Sequence, residues 1–281
     1  MNDVSATSTP PNGEVFAANR ATGRIAVSVA AASGRSRPAR VHEAGSLRIR
    51  FPHSAGEGIE AVTINTAGGM TGGDRFDLDF KVGSGAALRV TTAAAEKIYR
   101  SLGPDTITDV KIEVSSGGSL AWLPQETILF DRARFRRNIE IDLAGDASLL
   151  LAEACVFGRS AMGETVEEGR FFDRWRLRVD GALRFADSIR LDGGVARSLA
   201  EPAITAGGAA VASLVKFPGT EANVAAICEM QHEFAGEVGA SSWNGLAVIR
   251  CVAAGGAVLR HDLIKLLTAL GGAPLPRLWV N

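Results

Sequence analysis

Only three cysteines, Cys155, Cys228 and Cys251, occur in 281 residues, and no two of them form a C-x-x-C pair. This excludes a disulfide framework and a cysteine-built structural zinc site, and it suits a reducing, cytoplasmic setting. The four histidines, His42, His53, His232 and His261, are equally scattered. None stands four residues from another on an expected helix, so the pattern contains no tight imidazole metal site. No apolar run reaches the roughly 18 residues a membrane helix requires. Lys plus Arg (30) balance Asp plus Glu (31), which leaves no strong field to draw nucleic acid or an acidic membrane. There is no G-x-S-x-G, and no cysteine lies close to a histidine in an activating context. Residues 1–18, rich in Ser, Thr, Pro, Asn and Ala, lack a basic start followed by an apolar core and read as a disordered tail. No composition break divides residues 19–281, which are expected to form one domain.

Against these absences stands a dense glycine segment, NTAGGMTGGD at 65–74. Gly68, Gly69, Gly72 and Gly73 let the main chain take positive φ and approach other groups closely, and Asp74 places a carboxylate at the end of the bend. Gly68 and Gly73 have the G-x-x-x-x-G spacing of a phosphate loop, but Asp74 and Arg75 follow instead of Lys and Ser/Thr. Phe76, Leu78, Phe80 and Val82 then alternate with polar residues, the period of a half-buried strand, so no helix dipole faces an anion here. A glycine-rich corner in a sheet is the plain reading.

Sliding the sequence over itself reveals repeats. Segments beginning at Gly85, Gly117, Asp146 and Asp180 superpose without gaps on a shared leucine, at Leu88, Leu120, Leu149 and Leu183, and Ala44–Ile49 is a looser fifth copy. Each of the four follows an alternating run, so the unit is strand, tight turn, strand, with a spacing of about 30 residues. Such units cannot bury an apolar face alone. The expected fold is mainly β, an irregular β-helix or layered stack. Four residues beyond each shared leucine stand Thr92, Pro124, Glu153 and Asp187. A carboxylate ending an apolar strand is costly unless paired, hydrated or metal-bound; a hydrated strand end is the plain alternative.

Beyond residue 200 the period changes. Thr220 is a plausible N-cap for a helix near 220–239, and Leu259, Leu263, Leu266, Leu267 and Leu270 mark a second near 257–270 that stops at Gly271-Gly272. Each has an apolar face to bury against a sheet or a partner.

Three further segments are unusually specific in composition. Thr91-Thr92 precede Glu96-Lys97-Ile98-Tyr99-Arg100, with the only tyrosine between two cations. Trp122-Leu123-Pro124-Gln125-Glu126 ends a strand at a proline. Gly158-Arg159 is followed by Gly163-Glu164. Carboxylates are numerous enough for a glycosidase-type pair, which keeps a β-rich carbohydrate-active enzyme open.

Taken together, these segments resemble the urease accessory protein D family, also called the H protein in some bacteria. NTAGGMTGGD at 65–74, TTAAAEKIYRS at 91–101, LAWLPQETILF at 120–130, GRSAMGE at 158–164 and LPRLW at 275–279, with Pro276, Arg277 and Trp279, follow the family's motifs in order. The resemblance implies a non-enzymatic protein with a mostly β, helix-like stack, two helices and a polar tunnel. It implies partners as well: a helical F protein, a GTP-hydrolysing G protein and the urease apoprotein, to which nickel is delivered. No nucleic acid, membrane or tightly bound cofactor is implied; nickel(II) is in transit. A conduit needs ligands that replace some hydration yet let go, so dispersed carboxylates suit it better than a His/Cys cage. Asp74, Glu153 and Asp187 are the expected path residues, with Glu126 and Glu164 as further candidates. A pure assembly scaffold, without nickel transit, is the competing expectation.

Overall fold

The computed structural model describes residues 19–53, 58–159, 162–271 and 274–280. The tail expected at 1–18, and Gly272 of the second helix's stop signal, lie outside the described residues.

Two sheets face each other. The first contains β1 (Thr22–Ala32), β2 (Arg35–Gly45), β5 (Arg75–Val82), β8 (Thr106–Val114), β11 (Arg134–Leu143), β13 (Glu168–Val179) and β14 (Ala182–Gly194), in the order β14-β13-β11-β8-β5-β1-β2. The second contains β3 (Leu47–Arg50), β4 (Ile59–Asn65), β6 (Ala87–Thr92), β9 (Ser119–Trp122), β12 (Ser148–Phe157), β15 (Ala210–Phe217), β16 (Glu237–Trp243) and β17 (Leu246–Ala253), in the order β16-β17-β15-β12-β9-β6-β4-β3. From β4 to β13 the long strands alternate between the sheets, and like strands pair in parallel. The chain therefore coils, as the repeats lead one to expect of a β-helix-like stack.

Register explains why the repeats were visible. Leu88 pairs with Leu120 and Leu120 with Leu149, while Phe80, Ile112, Ile141 and Leu177 form the facing ladder. Every one of these side chains is buried. Each contributes about 1.5–3 kcal/mol of transfer free energy, and each supplies the apolar floor its neighbours lack.

The two outer copies depart from that ladder. Asp180 and Gly181, with φ of 50° and 76°, make the two-residue turn that sends a strand straight back along its neighbour. Hence β14 pairs antiparallel with β13 in the same sheet instead of crossing over, and Leu183 is exposed. Asp187, expected to stack on Glu153, lies on this hairpin. The fifth copy, in β3, is antiparallel to β4 and sets Leu47 opposite Asn65.

Helices α1 (Val195–Ala200), α2 (Glu221–Glu229), α3 (Gly256–Gly271) and α4 (Arg277–Val280) complete the structure. Thr220 caps α2 through a reciprocal box with Asn223. The helix is shorter than the expected 220–239: a 3-10 turn covers Gln231–Glu233 and Val238 belongs to β16. Leu259, Leu263, Leu266, Leu267 and Leu270 of α3 form a second buried cluster with Ala152, Ala154, Ala212 and Leu214, so the helix covers the outer face of the second sheet.

Candidate functional site: a cavity behind a motif-built corner

Between leaving the second sheet and re-entering the first, each coil makes a short third wall. Strands β7 (Glu96–Ile98) and β10 (Thr127–Leu129) pair in parallel with each other, and β10 pairs with the end of β12. Met70 joins Ile98 through an isolated parallel bridge. Met70, Ile98, Leu129 and Phe157 all point into the core. Three of the five sequence motifs thus form successive levels of one wall, and the fourth begins directly after its last level, at Gly158, whose N–H donates to the Leu129 carbonyl at 2.8 Å.

The glycine segment is its first level. A Cβ on Gly69 would lie 2.4 Å from the Tyr99 ring, and one on Gly72 2.0 Å from Ser101 Oγ, so only glycine lets these levels close up. Asp74 is buried, and its two oxygens accept the backbone N–H groups of Ala21 (2.8 Å) and Thr71 (2.7 Å). That carboxylate fastens the loop to the start of β1.

Behind the wall lies a cavity of about 240 Å³. Its rim includes the exposed Gly68, Ala93, Ala94 and Lys97, and its inner polar lining is Asn65, Thr63, Glu96, Gln125, Arg137 and Glu153. Glu96 accepts from Asn65 Nδ2 at 2.9 Å, and burial pushes its carboxyl up to about 7 against that hydrogen bond. Glu153 accepts from Trp122 Nε1 at 2.8 Å and from Arg137. Arg137 also donates to Asp173 Oδ1 at 3.0 Å, and Trp175 Nε1 donates to the same oxygen at 2.9 Å. One buried cation thus serves two buried carboxylates. Burial, with Asp173 repelling, raises the Glu153 carboxyl to about 7 despite Arg137. Arg137 and Glu153 also line a second void of about 10 Å³, room for about one water, so they form the partition between the two spaces. Ser213 borders that second void and accepts from Arg250, which pairs with Asp187 at 2.6 Å.

The upward shifts have a definite sign. Folded Glu96 and Glu153 hold protons that the unfolded chain releases above about 4.5, so stability falls as pH rises from about 4.5 to about 7 and levels off above. Urea unfolding at pH 5 and pH 8 should show a smaller difference for Glu96→Gln than for the parent chain, by about 2–3 kcal/mol. An unchanged difference would mean that Glu96 is hydrated.

The other expected residues are placed differently. Glu126 is buried beneath α3, where Arg260 donates to Gln125 Oε1 (2.5 Å), Glu126 Oε1 (3.0 Å) and the carbonyls of Leu278 and Trp279 (2.9 and 3.1 Å). Trp279 Nε1 donates to the Leu123 carbonyl at 2.9 Å, so the terminal motif is clasped onto the Trp-x-Pro-Gln-Glu segment. Glu164 pairs with Arg159 at 2.6 Å. Thr92 accepts from the Gln125 amide at 2.8 Å and joins two levels of the corner, next to Pro124. Glu96, singled out only as part of its segment, and Arg137, Asp173 and Arg260 were not among the expected path residues. Arg137 and Asp173 had a readable signal: each occupies an inward phase of an apolar strand, and they pair in register.

Among the described residues, no three His, Cys, Asp or Glu side chains gather as a metal-binding group, and no helix is long and apolar enough to cross a membrane. The family model described as UreD urease accessory protein matches residues 21–280. The chain belongs to the UreD urease accessory protein family. Curated UreD relatives agree along nearly their whole length. One from Rhodopseudomonas palustris strain HaA2 is 51% identical over 278 residues, covering 99% of this chain and 100% of the relative. Another, from Bradyrhizobium diazoefficiens strain USDA 110, is 50% identical over 267 residues, covering 95% and 96%. The corner motifs, the cavity and the clasp all fall within the UreD match.

Proposed function

We propose that this chain serves urease maturation as a scaffold with an internal passage for nickel(II), joining the F and G accessory proteins to the urease apoprotein, and that it has no catalytic activity of its own. The observation that carries this reading is the cavity whose two lining carboxylates, Glu96 and Glu153, sit behind a corner built from three family motifs and bordered by the start of a fourth. A poorly solvated carboxylate favours a divalent cation over water, and a pair too sparse to make a cage lets the ion leave. In this reading Glu96 and Glu153 face the cargo, and Asp187 marks a later station beyond Ser213. Asp74, Glu126 and Glu164 hold the walls.

The test is urease activation in cells carrying Glu96→Gln plus Glu153→Gln, with assembly of the accessory complex followed in parallel. Activation should fall at least about tenfold, equivalent to 1.4 kcal/mol, while assembly is unchanged. Full activation would overturn the passage.

A pure scaffold is the second reading. It is favoured by the engagement of Glu153 with Arg137 and Trp122, which leaves that carboxylate already partnered. It predicts silent cavity variants and damaging surface variants.

A further inference from the structure

The outer side of the corner carries side chains that core packing does not explain. Tyr99 is 37% exposed, Leu102 78% and Met162 72%. Tyr99 meets the Phe130 ring edge-on with centroids 4.9 Å apart, and the Arg159 guanidinium lies over the other side of the strip, 4.2 Å from the Phe130 centroid. Tyr99 Oη donates to the Gly68 carbonyl at 3.2 Å, which ties the strip to the rim of the cavity. Gly68, Tyr99, Phe130 and Arg159 therefore form a shelf along successive coils. Its composition is the one that concentrates binding energy at interfaces, tyrosine, phenylalanine and arginine tied together before a partner arrives, with the exposed Met162 bordering it through the bond from its N–H to the Arg159 carbonyl, 2.7 Å.

Charge narrows the occupant. The shelf carboxylates Asp131 and Glu164 already face Arg132 and Arg159. Exposed Lys97, at the cavity rim beside the proton-holding Glu96, and exposed Arg100, on the other side of Tyr99, supply positive charge at this end of the shelf, while exposed Glu167 and Glu168 lie at the far rim beyond Asp131. We infer that this shelf is the docking surface for a protein segment with an apolar centre and acidic residues on its cavity-facing side, and that docking covers the cavity mouth. Continuity between the shelf and the rim, through Gly68 and Lys97, is what selects a partner that exchanges cargo with the cavity over a second copy of this chain.

The inference rests on the passage reading for its purpose, and the experiment separates the two. Full-length chain carrying Lys97→Glu, Leu102→Glu and Met162→Glu is compared with the parent for affinity to each purified maturation partner, the F protein, the G protein and apourease, at low and high salt. The shelf predicts at least a tenfold loss toward one partner, a weaker salt dependence of what remains, and an unchanged thermal unfolding curve. An Arg40→Glu control on the exposed β2 strand should bind as the parent does. Undiminished affinity for all three partners overturns the shelf, whatever Glu96 and Glu153 do. Loss of affinity together with full activation by the Glu96→Gln, Glu153→Gln variant upholds the shelf and overturns the passage. Sedimentation of the chain alone covers the remaining occupant: self-association abolished by the same substitutions would make the shelf a contact between copies and overturn the inference.

Discussion

Replacing Arg137 with leucine should lower the unfolding free energy by about 3–5 kcal/mol, the range for stripping a buried ion pair of one partner. The side chain is buried between Glu153 and Asp173, which are buried as well. Its removal leaves two carboxylates beside two indoles, and at least one must take up a proton at neutral pH. Trp122 and Trp175 donate to those carboxylates, so tryptophan fluorescence during guanidinium titration reports the change directly. A loss below about 1 kcal/mol would show that the site is hydrated. Replacing all three members with leucine should recover most of the loss, because an apolar core does without the cost of desolvating charge. That triple variant asks a second question: a stable chain unable to support urease activation would separate passage from folding.

Arg260→Ala is expected to have the next largest effect. One guanidinium holds Gln125, Glu126 and two carbonyls of the terminal helix, and stacks 5.0 Å from the Trp279 ring. Charge-assisted bonds of this kind contribute about 1.5–3 kcal/mol each in isolation; sharing and partial exposure put the whole at about 2–4 kcal/mol. Buried Glu126 then loses its counter-ion, and Arg277–Val280 loses its anchor. Limited proteolysis should release the C-terminal residues from the variant and spare them in the parent. Equal resistance would mean that Trp279 alone suffices.

How much of this was legible follows from where the information lies. The ladder of Leu88, Leu120 and Leu149 is written in periodicity, and periodicity survives without knowledge of neighbours. Glu153 was visible because a charge stood where an apolar residue was due. Asp187 misled because a coil turn and a hairpin turn can begin with similar residues; the positive φ of both Asp180 and Gly181 decides between them. The clasp was not readable, since Arg260 and Glu126 are 134 residues apart and nothing in the segment around Glu126, distinctive as it is, points to Arg260. Asp74 was noticed for its position, yet its partners are main-chain groups, which every residue carries and no composition reveals.

The reversed strands at the two edges of the first sheet also bear on how the coil ends. A stack of parallel coils presents matching ladders at its two ends, so copies could add head to tail without limit. Here β2 and β14 each run against their neighbour and interrupt the repeat at both ends. The exposed rim of β2 adds Pro38, which cannot donate, among Arg35, Arg37 and Arg40. At both edges of this sheet the parallel ladder of the coil thus ends in an antiparallel strand that does not continue the repeat.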